Sequence, residues 1–341
     1  VSGGGVLNEP GGQVVGRREN FLSAVVEHRK PQWVPNALTD TVPLGGPLEV
    51  FENGPFGGGL DGFGVRWQST LSAGGAGVPA PGSQVLEDVC NWEDKVRFPN
   101  LDDFDWQEAA QVQLAGVDRS QRVLEYGSWN AQFLRFTHLL GFEEALIALI
   151  EEPEASEALL AAITDYKIGI VERVARYFKP DLFTSFDDVA TENSLFISPA
   201  IYRELIKPQH KRLNDAIRAY DMLPVMHTCG RCQELISDFI DEGAVAWSSA
   251  QPMNDIAQIL QSYCTSISVI GGYDSNGLPG LPEATNEQVE AEVKRAIETY
   301  GPYGSYCFLG FKLIASINPQ EFMDSLAVVN AAVERYCHIK T

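Results

Sequence analysis

The sequence predicts an α/β fold, a (β/α)8 TIM barrel in one domain, with an irregular Gly- and Pro-rich excursion near its N-terminus. From about residue 100 onward, short apolar runs alternate with longer amphipathic segments. This alternation predicts parallel strands joined by helical crossovers. The chain has 341 residues, 45% of them hydrophobic, which suits one closed barrel. An open doubly wound sheet is the alternative, although the chain contains neither a Gly-x-Gly-x-x-Gly motif after its first strand nor a Walker-type phosphate loop.

The N-terminal part supplies a tail, a helix and the first strand. Residues 1–16 are rich in glycine and are predicted to form a flexible tail, which leaves residues 17–341 as the barrel domain. Apolar side chains recur at helical spacing over residues 17–28, and Pro31 stops this predicted helix. The predicted first strand is 33–39.

Residues 43–85 form the predicted excursion. They are rich in glycine and proline, with three consecutive glycines at 57–59. A connection of this length is uncommon in a compact domain unless it serves a function. We therefore expect the excursion to enclose a substrate, and we expect one short strand at 62–67 within it.

The rest of the chain divides into strand–helix units with recognisable boundaries. Pro153 suits the first turn of a helix, and Ser198 followed by Pro199 is a cap with a first-turn proline. The predicted strands are 122–126, 181–186, 223–228, 244–247, 267–272 and 305–309. The predicted helices are 103–116, 143–151, 153–178, 199–220, 231–242, 254–262, 285–300 and 319–336. In a barrel the active site lies at the carboxyl ends of the strands, so chemistry is expected there.

Composition limits the partners and the location. Lys and Arg number 25 against 46 Asp and Glu, which gives a formal net charge of −21. Such a field repels nucleic acid and anionic membranes, although an acidic surface also serves solubility alone. No apolar run reaches the ~18 residues of a membrane span, and no signal peptide is visible. The six cysteines are scattered, which indicates a reducing cytoplasm rather than a disulfide scaffold.

His227 and Cys229 are the strongest candidates for chemistry. They follow an apolar run, and residues two apart in a strand face the same side. A thiolate and a neutral imidazole are ligands that zinc prefers, so the pair predicts a metal site. Cys307, in a later strand, is the candidate third ligand. A packed histidine and a structural thiol are the alternative.

Three carboxylates near strand ends are candidate catalytic groups. Glu125 lies at the end of one predicted strand, and Asp187 and Asp188 follow the next. Each could act as a general acid or base, or complete the zinc sphere through oxygen in place of Cys307. Capping of a helix is the alternative for the two aspartates.

Several segments together resemble the uroporphyrinogen decarboxylase superfamily over most of residues 17–338. The specific one is the His-x-Cys-Gly element. It resembles the zinc-dependent branch, the methylcobalamin:coenzyme M methyltransferases and related corrinoid-linked enzymes. The segments that carry the resemblance are Arg18–Leu22, Asp61–Val65, Gly141–Pro153, Asp187–Asp188 with Ser198–Pro199, His227–Gly230 and Asn318–Glu321.

The resemblance implies a TIM barrel that transfers a methyl group between a small molecule and a corrinoid. The expected cofactors are Zn²⁺ and methylcobalamin or another corrinoid carried by a partner protein, since this chain has no Asp-x-His-x-x-Gly cobalamin-binding motif. The small molecule is a thiol, or a methoxy or methylamine compound. The superfamily tends to pair its barrels, which leaves a homodimer open.

The chain departs from the family pattern in two places, and these keep alternatives open. The family's third zinc ligand resembles a Cys in a turn that corresponds here to Gly310–Lys312, whereas Cys307 lies earlier. The decarboxylase branch resembles an arginine-containing first strand, but 34–40 here has no arginine and ends in Asp40. A uroporphyrinogen-type decarboxylase therefore fits less well. A non-catalytic barrel that binds a small ligand is the remaining alternative.

Overall fold

A computed structural model describes residues 15–46, 52–55, 57–69, 77–314 and 318–338. The predicted tail lies outside this part except for Val15 and Gly16, and so do stretches of the predicted excursion. The strands are β1 (Thr41–Leu44), β2 (Gly58–Leu60), β3 (Arg66–Ser69), β4 (Gly77–Pro79), β5 (Val123–Ser128), β6 (Leu182–Phe186), β7 (Leu223–His227), β8 (Ala246–Ala250), β9 (Ser268–Gly272) and β10 (Tyr306–Leu309).

The helices alternate with the strands from β5 onward, as the sequence predicts. A π-helical turn, Tyr202–Ile206, links the helix Pro199–Ile201 to the helix Lys207–Ala219. The α-helices are α1 (Arg17–Val25), α2 (Ala37–Asp40), α3 (Trp92–Lys95), α4 (Trp106–Leu114), α5 (Gln132–Leu140), α6 (Phe142–Glu151), α7 (Pro153–Tyr177), α8 (Pro199–Ile201), α9 (Lys207–Ala219), α10 (Ile236–Asp241), α11 (Ile256–Tyr263), α12 (Asn286–Tyr300) and α13 (Pro319–Tyr336). Short 3₁₀ turns lie at Val89–Asn91, Leu101–Asp103, Gln233–Leu235, Leu278–Gly280 and Gly301–Tyr303.

Seven parallel strands form one curled sheet in the order β1-β5-β6-β7-β8-β9-β10. The predicted α/β architecture is confirmed. Within the described ranges the sheet has seven strands, where the prediction has eight, and its two edges approach through a single bridge between Asn36 and Phe308. The Phe308 amide donates to the carbonyl of Pro35 at 2.8 Å there.

The predicted first strand, 33–39, is wrong: only Asn36 makes a strand-like bridge there, and residues 37–40 are helical. Asn36 accepts a hydrogen bond from the amide of Leu38 at 3.1 Å. An asparagine in this position caps a helix, so the chain turns into α2 and the strand begins only at Thr41. Asp40 therefore precedes β1 and does not lie at a strand's carboxyl end.

Alternation along each strand divides the side chains into two layers. One layer packs between the sheet and its helices. The other forms a smaller apolar cluster with α1, which contributes Phe21 and Val25. Its strand residues are Val123, Leu182, Val225, Val245, Ala246, Ile270 and Cys307. Because successive side chains alternate, Glu125, Thr184 and His227 leave their strands on this inner side.

The predicted excursion contains a small antiparallel sheet, β2-β3-β4, instead of one short strand. Two buried ion pairs join it to the helical layer. Arg135 of α5 contacts Asp61 at 2.7 Å, and Lys167 of α7 contacts Glu52 at 2.5 Å. Among the described residues, no helix is both long and apolar enough to cross a membrane.

Candidate metal centre

The candidate site lies where β6 and β7 end side by side. Phe186 and His227 are register partners, and the amide of Asp187 donates to the carbonyl of His227 at 2.9 Å. The Thr228 hydroxyl donates to the carbonyl of Asp187 at 2.6 Å. These bonds fix the two strand ends relative to each other.

Three donor atoms converge just beyond these ends. The ligand atoms of Asp188, His227 and Cys229 all lie within 4.8 Å of one another. Cys229 Sγ lies 3.6 Å from His227 Nε2, so the two side chains face each other as the strand spacing predicts. Among the described residues, these three are the one group of three or more His, Cys, Asp or Glu side chains that lie close enough to share a metal ion.

Neighbouring groups orient each of the three donors. The Ser248 hydroxyl lies 3.1 Å from His227 Nδ1, which leaves Nε2 directed at Cys229. One carboxylate oxygen of Asp188 accepts the amide of Cys229 at 2.7 Å. Gly230 then turns at φ +85°, where a Cβ would lie 2.5 Å from the carbonyl oxygen of Thr191. Only glycine permits that close approach.

Burial sets the protonation of the cluster. It lowers the pKa of His227, so the imidazole is neutral. Burial, together with the negative charge of Asp188, raises the pKa of Cys229 to about 12. A bound cation would reverse this preference, because it stabilises the thiolate. Sulfur, imidazole nitrogen and carboxylate oxygen are all ligands of zinc, so the residues fit that ion.

Cys307, the predicted third ligand, lies elsewhere. It is fully buried in the inner apolar cluster with Val225 and Ile270, and its sulfur contacts the carbonyl of Phe308 at 3.7 Å. It is not part of the donor group. Because strands in a curled sheet tilt and stagger, the order of residues along β10 does not reveal their height in the sheet. Asp188 is the third member of the donor group instead.

Asp187 points away from the cluster into the helical layer. Its carboxylate is buried and accepts the amides of Phe133 and Leu134 at the start of α5, at 2.9 and 2.8 Å. It also contacts His210 Nε2 at 2.7 Å. The structure thus places Asp187 as a helix cap and an ion-pair partner, the alternative to catalysis.

Glu125 lies on the inner side of β5. Its carboxyl accepts the hydroxyl of Thr184 at 2.5 Å. Burial raises its pKa and therefore favours the protonated form. This carboxyl is not a member of the three-donor group.

A row of aromatic rings lies beside His227, and the sequence analysis did not predict this row. The rings of Trp129 and Phe186 stack with centroids 4.0 Å apart, and Phe186 lies 4.2 Å from the ring of His227. Gly127 makes room for the row, since a Cβ there would lie 3.1 Å from the ring of Phe186. A glycine two residues before a tryptophan, at the end of a strand, was the available signal.

A cavity of about 530 Å³ adjoins the cluster at Asp188. Its walls come from the segment after β4, from α5 and the start of α6, and from the loop after β6. The lining residues are Pro79, Ala80, Pro81, Gly82, Ser83, Gln84, Leu134, Thr137, His138, Gly141, Phe142, Asp188, Ala190 and Phe196. Asp188 therefore belongs both to the donor group and to a space large enough for a small organic molecule.

Comparison with known proteins adds independent findings. The uroporphyrinogen decarboxylase (URO-D) family model matches residues 82–335. A methylated-thiol–coenzyme M methyltransferase of Methanosarcina mazei is 28% identical over 169 residues, which cover 49% of this chain and 43% of that protein. The match thus spans less than half the length of that relative.

A solved structure supports the fold. A methyltransferase from Methanosarcina mazei superposes with a TM-score of 0.56 at 19% identity, over 76% of this chain and 72% of that one. At this identity the likeness concerns the fold alone.

Proposed function

The chain belongs to the uroporphyrinogen decarboxylase family, and on that premise we propose that it is a zinc-dependent, corrinoid-linked methyltransferase. The observation that carries the proposal is the convergence of Asp188, His227 and Cys229 at the ends of adjacent parallel strands. The activity in the name of the Methanosarcina relative supports methyl transfer as the reaction class.

Asp188, His227 and Cys229 would hold the zinc ion. Three protein ligands leave a fourth position open, which is the arrangement of catalytic rather than structural zinc sites. When bound, zinc acts as a Lewis acid that lowers the pKa of a thiol or polarises the atom that carries a methyl group.

The surrounding residues have separate tasks. Ser248 holds the imidazole of His227 in one orientation, and the amide of Cys229 holds Asp188. The ring of Phe186 covers one side of the imidazole, and Trp129 stacks on Phe186. Burial raises the pKa of Glu125, so its carboxyl is our candidate for supplying a proton to an anionic leaving atom.

We further propose that the corrinoid arrives on a partner protein. This chain has no Asp-x-His-x-x-Gly motif of its own. The small molecule is then the methyl donor or the methyl acceptor. Porphyrinogen decarboxylation has less support, since residues 34–40 carry no cation that could hold the carboxylates of such a substrate.

Metal analysis tests the proposal directly. We expect about one zinc per chain, lost in His227→Ala and in Cys229→Ser and retained in Cys90→Ser, which removes an exposed thiol. Zinc-loaded protein should then transfer methyl groups from methylcobalamin to a thiol, or from a methoxy compound to cob(I)alamin, and the two zinc-free variants should not. A protein that binds no zinc when the ion is in excess would refute the proposal.

A further inference from the structure

The cavity beside Asp188 has mostly apolar walls. Phe142 and Phe196 meet edge to face with centroids 4.8 Å apart, and Leu134 adds to the same lining. Ligand pockets of a few hundred Å³ bury molecules much larger than methanol or a two-carbon thiol. The walls therefore favour a ligand with an apolar, ring-sized body.

No cation is among the described residues that line this cavity. Asp188 is the one charged group among its described lining residues. The positive end of α6 lies at Phe142, but Glu143 and Glu144 occupy its first turn and compensate it. Residues 70–76, which precede β4 and are not described, contain neither Lys nor Arg. An anionic ligand would lose hydration here without gaining a partner.

His138 gives the cavity a neutral polar group. The side chain lines the wall, and its Nδ1 is buried without a hydrogen-bond partner among the described residues. Burial, together with the positive charge of Arg135, lowers the pKa of His138 to about 3, so the ring stays uncharged. A neutral ring adds no charge to this wall, which favours an uncharged ligand.

The wall opposite α5 is held in place. The amides of Val85 and Leu86 both donate to the carbonyl of Leu139 at 3.0 Å. The amide of Ala80 donates to the carbonyl of Arg66 at 2.8 Å, which ties the same segment to β3. Backbone hydrogen bonds thus fix this wall of the cavity to α5 at one end and to β3 at the other.

We propose that this cavity binds an uncharged, largely apolar methyl ether or methyl thioether, with a body about the size of a substituted benzene ring and its methyl-bearing atom toward Asp188. The inference rests on the proposed function, and it makes this molecule the methyl donor. The bond between the methyl carbon and the oxygen or sulfur breaks. The methyl group passes as a formal cation to the reduced corrinoid on the partner, and the oxygen or sulfur keeps the electron pair and takes a proton.

Calorimetric titration with a matched pair of probes tests the inference. The neutral probe is methyl phenyl sulfide, and the anionic probe is 4-(methylthio)benzenesulfonate, which differs only by the sulfonate. We expect the neutral probe to bind at least tenfold more tightly. Ala80→Trp, which fills the cavity, should weaken its binding at least tenfold. Thr265→Trp, in an exposed turn before β9, should leave it unchanged.

Equal or tighter binding of the sulfonate, undetectable binding of the neutral probe, or neutral-probe binding that survives Ala80→Trp would each overturn the inference. These outcomes are separate from those of the zinc and methyl-transfer assays. Transfer to 2-mercaptoethanesulfonate that Ala80→Trp does not affect would leave the methyltransferase standing and remove this donor class. If the protein binds the neutral probe but has no methyl-transfer activity, the ligand class stands and the proposed function falls.

Discussion

At the scale of single residues, function depends on which face of a strand each side chain leaves. Asp187 and Asp188 are neighbours, yet one caps α5 and the other joins the donor group. The spacing of His227 and Cys229 was enough to place both on one face, because the strand period is two. It could not separate the two aspartates, since that requires knowing at which residue β6 ends.

Substitution of the two aspartates should separate these roles. Asp188→Asn removes a charged ligand, so zinc affinity should fall at least tenfold, about 1.4 kcal/mol, while the unfolding midpoint of the zinc-free protein stays close to that of the wild type. Asp187→Asn should lower the free energy of unfolding by roughly 1–3 kcal/mol, because it weakens the bonds to two buried amides and to His210, which keeps Glu242 as its carboxylate partner. Zinc titration and urea unfolding measure the two effects. Loss of zinc affinity in Asp187→Asn alone would contradict these assignments.

His210 should make stability depend on pH. Burial alone would lower its pKa, but hydrogen bonds to Asp187 and Glu242 raise it from 6.5 to about 9. A raised pKa means that the protonated ring stabilises the fold fully below pH 6.5, and that this contribution is lost as the pH rises through about 9. Urea unfolding at pH 6 and pH 9.5 should therefore show a larger difference between wild type and His210→Gln at pH 6. An equal difference at both values would refute the charge assignment.

At the scale of elements, the predicted helix boundaries match the observed ones where capping residues mark them. Thr285 caps α12 with a reciprocal bond from Gln288, and α12 begins within one residue of the prediction. The helices α2 and α5 were not predicted, and each has a physical reason. Asn36 turned a predicted strand into α2, and α5 was not predicted because its N-terminal amides are capped by Asp187, 53 residues away in the case of Leu134. Long-range capping of this kind leaves no local signal.

The buried ion pairs should anchor the excursion. Arg135→Met would leave Asp61 buried without its cation, so we expect the free energy of unfolding to fall by roughly 3–5 kcal/mol and cleavage within 57–69 to accelerate in limited proteolysis. Arg173→Met is the control, because its pair with Asp102 is largely exposed and should contribute less than about 1 kcal/mol. Equal effects of the two variants would argue against an anchoring role.

At the scale of the whole molecule, the alternation of strands and helices was enough to predict a parallel α/β sheet with its chemistry at the carboxyl ends. The same pattern could not decide how many strands pair or how they tilt. That geometry places Cys307 in the inner apolar cluster, although its position near the end of the chain's last strand suggested a ligand. The ligand set therefore required three-dimensional packing.

The central claim is that zinc is held by one sulfur, one imidazole and one carboxylate. X-ray absorption at the zinc edge, on substrate-free protein, tests it most directly. We predict one zinc–sulfur distance near about 2.3 Å, with the remaining ligands nitrogen or oxygen at roughly 2.0–2.2 Å, and loss of the sulfur contribution in Cys229→Ser. Two or more sulfur ligands per zinc would contradict the assignment of Asp188 in place of Cys307.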